Sequence, residues 1–523
     1  VRTIDYFDRA AEHCPDRPAL IDGSGGQSYA EVANLTRRLA GAMQANGMAA
    51  QDRVAIYAPN SASVLICLLS LWRARGVWIP VNARNALAAN IDYLNYVRAG
   101  WLFYHSACAA DVEQIAASVP SLMHVICLDR ERDAHPSLER LIAGHDGQNL
   151  ADWGDPFGNL SDLVGIFSTG GTTGAAKGVR VTNLGWGTMI ETAMMAFARG
   201  DPASLVCLAT APLTHAAGPV AVALLAMGAS IVIRPGFGAA DTLAQIERHR
   251  VTHLFLPPTA LYALLAADRL SDFDYSSLRI LLLAGSPVSP DKLRRAVEVF
   301  GPCLCQSYGQ TESPMLTTWL PPETVAAAAA GDHPERLASC GLPTPSVRVG
   351  IMDDEGNLLP PGERGEIVVR GALVSDSYFE LPAATAEIRN YGWHHTGDIA
   401  WRDDDGYVYI VDRKKDMIVT GGFNVFSAEV EAAIMALDGV AECAVIGVPH
   451  DIWGEAVTAI IVAAAGEAPD EALVIAHCKA LLGSVKAPKS VMFQQSLPRT
   501  PAGKLDKKTL RARFWQDASR NVN

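Results

Sequence analysis

No stretch of this 523-residue chain is both long and apolar enough to cross a membrane. The most apolar early segment, residues 64–81, carries Arg73 and Arg75 near its middle, which suits a buried helix and strand and not a lipid-facing span. The opening Val-Arg-Thr-Ile-Asp-Tyr-Phe-Asp puts acidic groups where an export signal needs a basic and then an apolar run, so a cytoplasmic protein is expected. Ten cysteines are scattered, and the close pair Cys303 and Cys305 lacks the spacing of a zinc knuckle or a redox motif. Reduced thiols follow. Basic charge is also short: 43 Lys and Arg against 56 Asp and Glu leave a net charge of −13. That excludes a surface built to neutralise nucleic-acid phosphates or to lie on anionic lipid. A polyanionic ligand would need a local site. No internal repeat is visible.

What is present is the composition of a globular enzyme, 49% hydrophobic, in a chain too long for one ordinary core. Apolar residues recur at helical spacing over residues 29–48, and residues 52–58 read as a buried strand. The alternation continues, with strands expected at 79–82, 102–104, 124–128, 230–234, 253–256 and 280–284. It predicts an α/β protein whose mostly parallel sheets are covered by helices. After residue 341 the texture changes to short strands at 347–352, 366–370 and 407–411 between Asp/Gly turns, a β-rich subdomain. A charged stretch, residues 412–416, precedes a helix beginning near Ser427, with Ser427, Glu429 and Glu431 favouring its N-terminus. The predicted organisation is a large domain over 1–412, a boundary segment at 413–416, and a small α+β domain over 417–523 ending in a basic tail.

The most informative stretch is residues 167–178, Phe-Ser-Thr-Gly-Gly-Thr-Thr-Gly-Ala-Ala-Lys-Gly, after an apolar run. Its glycines admit close approach of an anion to the backbone, Ser168, Thr169, Thr172 and Thr173 offer hydroxyls, and Lys177 adds charge, together a polyphosphate cradle. It is not a Walker A loop, because Lys177 is followed by Gly178 and not by a Ser or Thr that could meet magnesium. Three further segments are ambiguous by themselves. His215 in Pro-Leu-Thr-His-Ala-Ala-Gly reads alone as a packed core histidine. Residues 306–312, Gln-Ser-Tyr-Gly-Gln-Thr-Glu, could open a helix capped by Thr311. The His394-His395 pair suggests a metal, but no partner ligands lie at a recognisable spacing.

Taken in order, these segments resemble the signatures of the adenylate-forming superfamily, which includes acyl- and aryl-CoA synthetases, luciferase and peptide-synthetase adenylation domains. The resemblance covers nearly the whole chain. Ala176 replaces the proline usual before the loop lysine, and Ser427 replaces the proline usual before the Ala-Glu-Val-Glu helix. The resemblance implies that Ser168, Thr169, Gly170, Gly171, Thr172, Thr173, Gly174 and Lys177 cradle the phosphates of ATP. It implies that Tyr308 stacks on adenine, with Gly285, Ser286, Gly309 and Gln310 around the nucleotide. Thr311 would contact the α-phosphate, and Glu312 would hold Mg2+. Asp398, in Trp-His-His-Thr-Gly-Asp, would accept from both ribose hydroxyls, and Arg413 would also meet the ribose. The resemblance further implies that the boundary segment 413–416 is a hinge, with Lys415 the hinge residue, and that the small domain is mobile. Gly421, Gly422 and Phe423 would approach the pantetheine thiol of coenzyme A. Lys504, in Pro-Arg-Thr-Pro-Ala-Gly-Lys, would bridge the acid and the α-phosphate, although a basic tail read alone is only solvated.

The activity so implied is ATP-dependent acyl-CoA ligation through an acyl-adenylate, with Lys504, Glu312, Thr311, His215 and Lys177 catalytic. The cofactors are ATP, Mg2+ and coenzyme A. The partners are small molecules, with no nucleic acid and no integral membrane, and a homodimer is left open. Candidate acid-pocket residues, again by resemblance, are His215, Ala216, Ala217, Gly218, Gly285, Ser286, Gly309, Pro314 and Met315. Their small, apolar character suggests a medium-chain fatty or aromatic monocarboxylic acid, because no cation is there to hold a second carboxylate. An enzyme that loads a carrier protein or releases the adenylate is the alternative within the family, and an inactive nucleotide-binding scaffold the alternative outside it. The first is weakened for amino acids by the absence of Phe-Asp in the His215 segment. The second is weakened by the joint presence of Lys177, Glu312, Asp398, Arg413 and Lys504.

Overall fold

The structure, a computed structural model, describes residues 1–132, 134–147, 150, 159–169, 176–215, 217–464, 469–500 and 505–515. Two helix-covered sheets draw their strands from Pro18 to Pro343. The nine-stranded sheet runs in the order Leu342–Pro343, Ser313–Leu320, Leu304–Gln310, Ile280–Leu283, His253–Leu256, Val206–Ala209, Ser230–Ile233, Pro18–Asp22 and Gly25–Ser28. Its central neighbours are parallel, and the pairs at its two edges are antiparallel. The six-stranded sheet runs His124–Cys127, Trp101–Tyr104, Arg53–Tyr57, Val77–Pro80, Leu163–Ser168 and Gly178–Thr182, parallel except for the last pair. The parallel α/β architecture read from the alternation is therefore present, with antiparallel edges added.

The 64–81 segment resolves into a helix, Ala62–Arg73, and the strand Val77–Pro80. That strand sits two residues earlier than the 79–82 expected. Its ends are set by the neighbour it pairs with, Arg53↔Val77 through Ile56↔Pro80, and not by local composition. A third sheet of five strands contains Val347–Met352, Gly365–Gly371, Trp393–Arg402, Arg389–Asn390 and Val408–Arg413, the β-rich subdomain of the sequence reading.

The chain falls into two compact units, one of Val1–Val349 with Val369–His394, the other of Gly350–Val368 with His395–Asn523. Compactness thus divides it elsewhere than the change of texture at 412/413. Residues 395–412 group with the C-terminal part because Val408–Arg413 pairs along Trp393–Arg402 and Asp412 bonds to Ser427. In the second unit the strands Val440–His450 and Gly454–Ala463 alternate with period two. Val445, Val457, Ala459 and Ile461 pack with Val430, Ile434 and Val474 on one face. Ala444, Ile446 and Ile460 pack with Leu497 and Leu510 on the other, so both faces of the sheet are covered. Among the described residues no helix is long and apolar enough to cross a membrane.

Candidate active site

In the first unit the candidate residues sit where sheet topology gathers them. Val206–Ala209, His253–Leu256, Ile280–Leu283 and Leu304–Gln310 are consecutive parallel neighbours, so the segments leaving their carboxyl ends emerge along one edge. Those segments are residues 210–218, Gly285 with Ser286, and the turn carrying Thr311 and Glu312. Open α/β sheets bind ligands at that edge. The alternative of a helix opening at Thr311 is overturned. Leu304–Gln310 is itself a strand that turns through Thr311 and Glu312 into the antiparallel Ser313–Leu320.

The hairpin is unusually tight. A Cβ on Gly309 would lie 2.5 Å from the Met315 amide nitrogen, and Met315 has φ of 61°, a left-handed conformation that a side chain adopts at a cost. Gly218 is similar, since a Cβ there would lie 2.1 Å from the Leu213 carbonyl oxygen. The smallness of Gly309 and Gly218 therefore has a packing reason of its own, the close approach of backbone. Ala217, Met315 and Thr214 are buried, whereas His215 is exposed and so is not a packed core histidine. Its Nδ1 lies 3.1 Å from Thr214 Oγ1. Ala216 lies outside the described residues.

The candidate phosphate loop lies between Leu163–Ser168 and the antiparallel strand Gly178–Thr182, and the Thr169 amide donates to the Lys177 carbonyl at 2.9 Å. Gly170, Gly171, Thr172, Thr173 and Gly174 lie outside the described residues. Gly178, also counted in the cradle, has a packing reason of its own, because a Cβ there would meet Ile166 at 2.6 Å. Lys177 Nζ stands 5.1 Å from the ring centroid of Tyr378 and 3.9 Å from Glu387 Oε2. The Tyr378 hydroxyl donates to Glu312 Oε1 at 2.6 Å. Burial, reinforced by the Glu312 charge, pushes the Tyr378 phenol far above its usual range, so it remains a donor. Sequence reasoning missed Tyr378 altogether. Nothing local marks it, since it reaches the loop through the bridge Val179↔Tyr378 between segments two hundred residues apart.

Glu312 suits a hard divalent cation: a half-buried carboxylate in the turn at a strand end, with one oxygen fixed by a neutral donor. Among the described residues no group of three or more His, Cys, Asp or Glu is arranged to hold a metal, so phosphate and water oxygens would complete such a shell. His395 Nδ1 is instead 3.1 Å from Glu366 Oε2, a protein partner that explains this histidine without a metal.

In the second unit Asp398 and Arg413 face each other on paired strands, Arg413 Nε lying 3.1 Å from Asp398 Oδ1. Asp398 is 4% exposed and Gly397 before it has φ of 72°, so the turn that aims the carboxylate favours glycine. Arg413 ends the strand Val408–Arg413 and is not part of the turn that follows, Lys414–Asp416. Lys414 Nζ is held by Asp354 at 2.7 Å and Glu366 at 3.3 Å. Burial holds the Lys415 ammonium below its usual range, with the Arg413 charge adding to it.

The turn is anchored from the C-terminal helix Lys507–Ala512. Arg511 donates to the Lys415 carbonyl at 2.9 Å, to Asp416 Oδ1 at 3.1 Å and to the Asp416 carbonyl at 3.1 Å. Lys507 Nζ donates to Ser427 Oγ and pairs with Glu431 Oε1, each at 2.7 Å, while Ser427 Oγ donates to Asp412 Oδ2 at 2.8 Å. Ser427 is therefore not the helix cap expected. Phe426 occupies the cap position, and the Asp412 carboxylate, reaching from the strand Val408–Arg413, accepts from the Ala428 amide.

Gly421 and Gly422, with φ of 56° and 79°, form the two-residue turn between Ile418–Thr420 and Phe423–Val425, a geometry that needs positive φ at both positions. Phe423 is exposed beside it. Lys504 lies outside the described residues. The chain on either side is fixed by the bridge Arg499↔Leu505 and by the Asp506 amide donating to the Pro498 carbonyl at 2.8 Å.

Comparison with known proteins identifies the family and the fold. A family model described as AMP-binding enzyme matches residues 7–379, and one described as AMP-binding enzyme C-terminal domain matches residues 429–504. A feruloyl-CoA synthase of Amycolatopsis sp is 35% identical over 97% of this chain and 98% of its own length. A medium/long-chain-fatty-acid–CoA ligase of Mycobacterium tuberculosis is 42% identical over 69% of this chain, which spans 63% of that relative. Among solved structures, ATP-bound MatB from Rhodopseudomonas palustris superposes with a TM-score of 0.86 at 29% identity, covering 99% of both chains.

Proposed function

The chain belongs to the family of AMP-binding enzymes, and from that premise we propose that it activates a medium-chain fatty or aromatic monocarboxylic acid as its adenylate and passes the acyl group to coenzyme A. It is an AMP-forming acid–CoA ligase using ATP, Mg2+ and coenzyme A. The observation carrying the assignment of roles is the convergence of Lys177, Tyr378 and Glu312 beside the phosphate loop. The acid class is supported by relatives named for ferulate and for fatty acids, and by candidate pocket residues that include no lysine or arginine.

A carboxylate is a poor acyl donor because its leaving group would be oxide. In the first step a carboxylate oxygen attacks the α-phosphorus of ATP, the bond to the bridging oxygen breaks, and pyrophosphate leaves. Mg2+ supplies screening of phosphate charge when bound at Glu312. Lys177 and the hydroxyls of Ser168 and Thr169 hold the departing phosphates, Thr311 meets the α-phosphate, and Lys504 neutralises the charge developing between acid and phosphorus. Asp398 and Arg413 hold the ribose. In the second step the thiolate attacks the carbonyl carbon and AMP leaves with the electron pair of the C–O bond. Gly421, Gly422 and Phe423 guide the thiol, with 1–412 and 417–523 as the functional bodies turning about Lys415 in the hinge 413–416.

The test is a panel of acids with ATP, Mg2+ and coenzyme A, read by exchange of labelled pyrophosphate and by mass detection of the thioester. Thioesters of monocarboxylic fatty or aryl acids are expected. Products from dicarboxylic or amino acids alone would overturn the acid class, and no exchange with any acid would overturn the reading as a whole.

A further inference from the structure

The segment 375–379 ties together two parts of the site that the sequence keeps far apart. The Ser375 amide donates to the Glu312 carbonyl at 2.7 Å, and Ser375 Oγ donates to the Arg180 carbonyl at 2.7 Å. The Arg180 amide donates to the Ser377 carbonyl at 3.2 Å, and the Phe379 amide to the Gly178 carbonyl at 2.7 Å. The strap thus holds the strand leaving the phosphate loop on one side and the turn bearing Glu312 on the other. Tyr378 is its centre. It is 8% exposed, its hydroxyl fixes Glu312 Oε1, and its ring lies under Lys177 Nζ.

We propose that Tyr378 is a positioning residue that orients the Glu312 carboxylate for a divalent cation and holds the Lys177 ammonium over its ring, so that cation and lysine meet one polyphosphate in register. Geometry favours this over simple core packing. Tyr57 also donates to a carboxylate, that of Asp111, so the partner's type is not what sets Tyr378 apart; its carboxylate is the one assigned to the metal, and its ring lies at the same time under the loop lysine. With Oε1 held, Oε2 is the oxygen that can face the cation. The ring face attracts an ammonium electrostatically but accepts none of its conventional hydrogen bonds, which leaves N–H donors for phosphate. The inference rests on the proposed roles of Glu312 and Lys177.

The experiment is calorimetric titration of ATP into the whole protein without acid or coenzyme A, so that nothing turns over, with and without Mg2+. It compares wild type with Tyr378→Phe, Tyr378→Leu and Glu312→Gln, and thermal unfolding checks that each variant is folded. Tyr378→Phe keeps the ring and loses the hydroxyl. It is expected to shrink the tightening of ATP binding by Mg2+ roughly tenfold, the scale of a hydrogen bond to a charged group, with metal-free affinity unchanged. Tyr378→Leu is expected to weaken metal-free ATP binding as well, by about threefold, because the lysine loses its aromatic support. A wild-type metal response in Tyr378→Phe, with that response lost in Glu312→Gln, overturns the role of Tyr378 and leaves the assignment of Glu312 standing. A response preserved in Glu312→Gln overturns both.

Discussion

Glu312 and Asp398 are both carboxylates assigned to the nucleotide, yet they are held by different means. Glu312 lies in a hairpin turn, and its side-chain partner Tyr378 comes from a strap far along the chain. Asp398 lies within a strand, and its partner Arg413 is the residue opposite on the neighbouring strand. The first arrangement depends on a single side-chain bond between distant segments, the second on strand register that every rung of the ladder enforces. Sites of the first kind are reached by changing one atom. Sites of the second kind resist until the support beneath them is removed.

The largest effect expected follows from that support. Glu431→Ala leaves Lys507 as a buried unpaired cation beneath the hinge anchor and is expected to destabilise the second unit by about 3–5 kcal/mol, read by denaturant unfolding. A loss below 1 kcal/mol would show that the ionic chain from Asp412 to Glu431 is not structural. Next, Glu312→Gln is expected to slow pyrophosphate exchange by on the order of 100-fold or more while leaving the unfolding midpoint near wild type. Coincident losses of fold and exchange would erase the contrast between the two regions. Asp398→Ala, which removes the ribose acceptor but keeps the strand pairing, is expected to raise the KM for ATP by roughly tenfold with a smaller change in kcat. A change in kcat alone would move Asp398 out of the ribose role. Smallest is Gly421→Asn, which satisfies the same two-residue turn and should leave the unfolding midpoint and pyrophosphate exchange unmoved. A several-fold rise in the KM for coenzyme A would then separate close approach of the thiol from the demands of the turn, and an unchanged KM would leave the turn as the sole reason for the glycine.

Much of this was legible before any coordinates. The strands 253–256 and 347–352 were read with their limits, because short, mostly apolar runs followed by turn or helix signals carry their own signal. The motifs around Lys177, Glu312, Asp398 and Arg413 were identified by type and order. Ser427 was misread because its hydroxyl has a local use as a cap, and only the fold places Asp412 close enough to take that job and engage the serine as well. Two of the small candidate pocket residues have a second reason to be small that only the fold shows. Composition shows that Gly218 and Gly309 lack a Cβ, but not that the Leu213 carbonyl and the Met315 amide occupy the space. Tyr378 went unnoticed because a Tyr-Phe-Glu-Leu-Pro segment looks like any loop until its partners are known.

The sequence by itself determined the chemistry available: a hydroxyl- and glycine-rich turn with a lysine, carboxylates and an arginine in a set order, and an apolar periodicity that makes covered parallel sheets. Those are properties of residue type and short spacing, which a chain carries whether or not it is folded. Only the tertiary structure decided which groups meet. Tyr378 at Glu312, Lys507 at Glu431 and Arg511 at the hinge carbonyls are contacts across long loops, and their geometry is fixed by how whole sheets and helices bury their apolar faces.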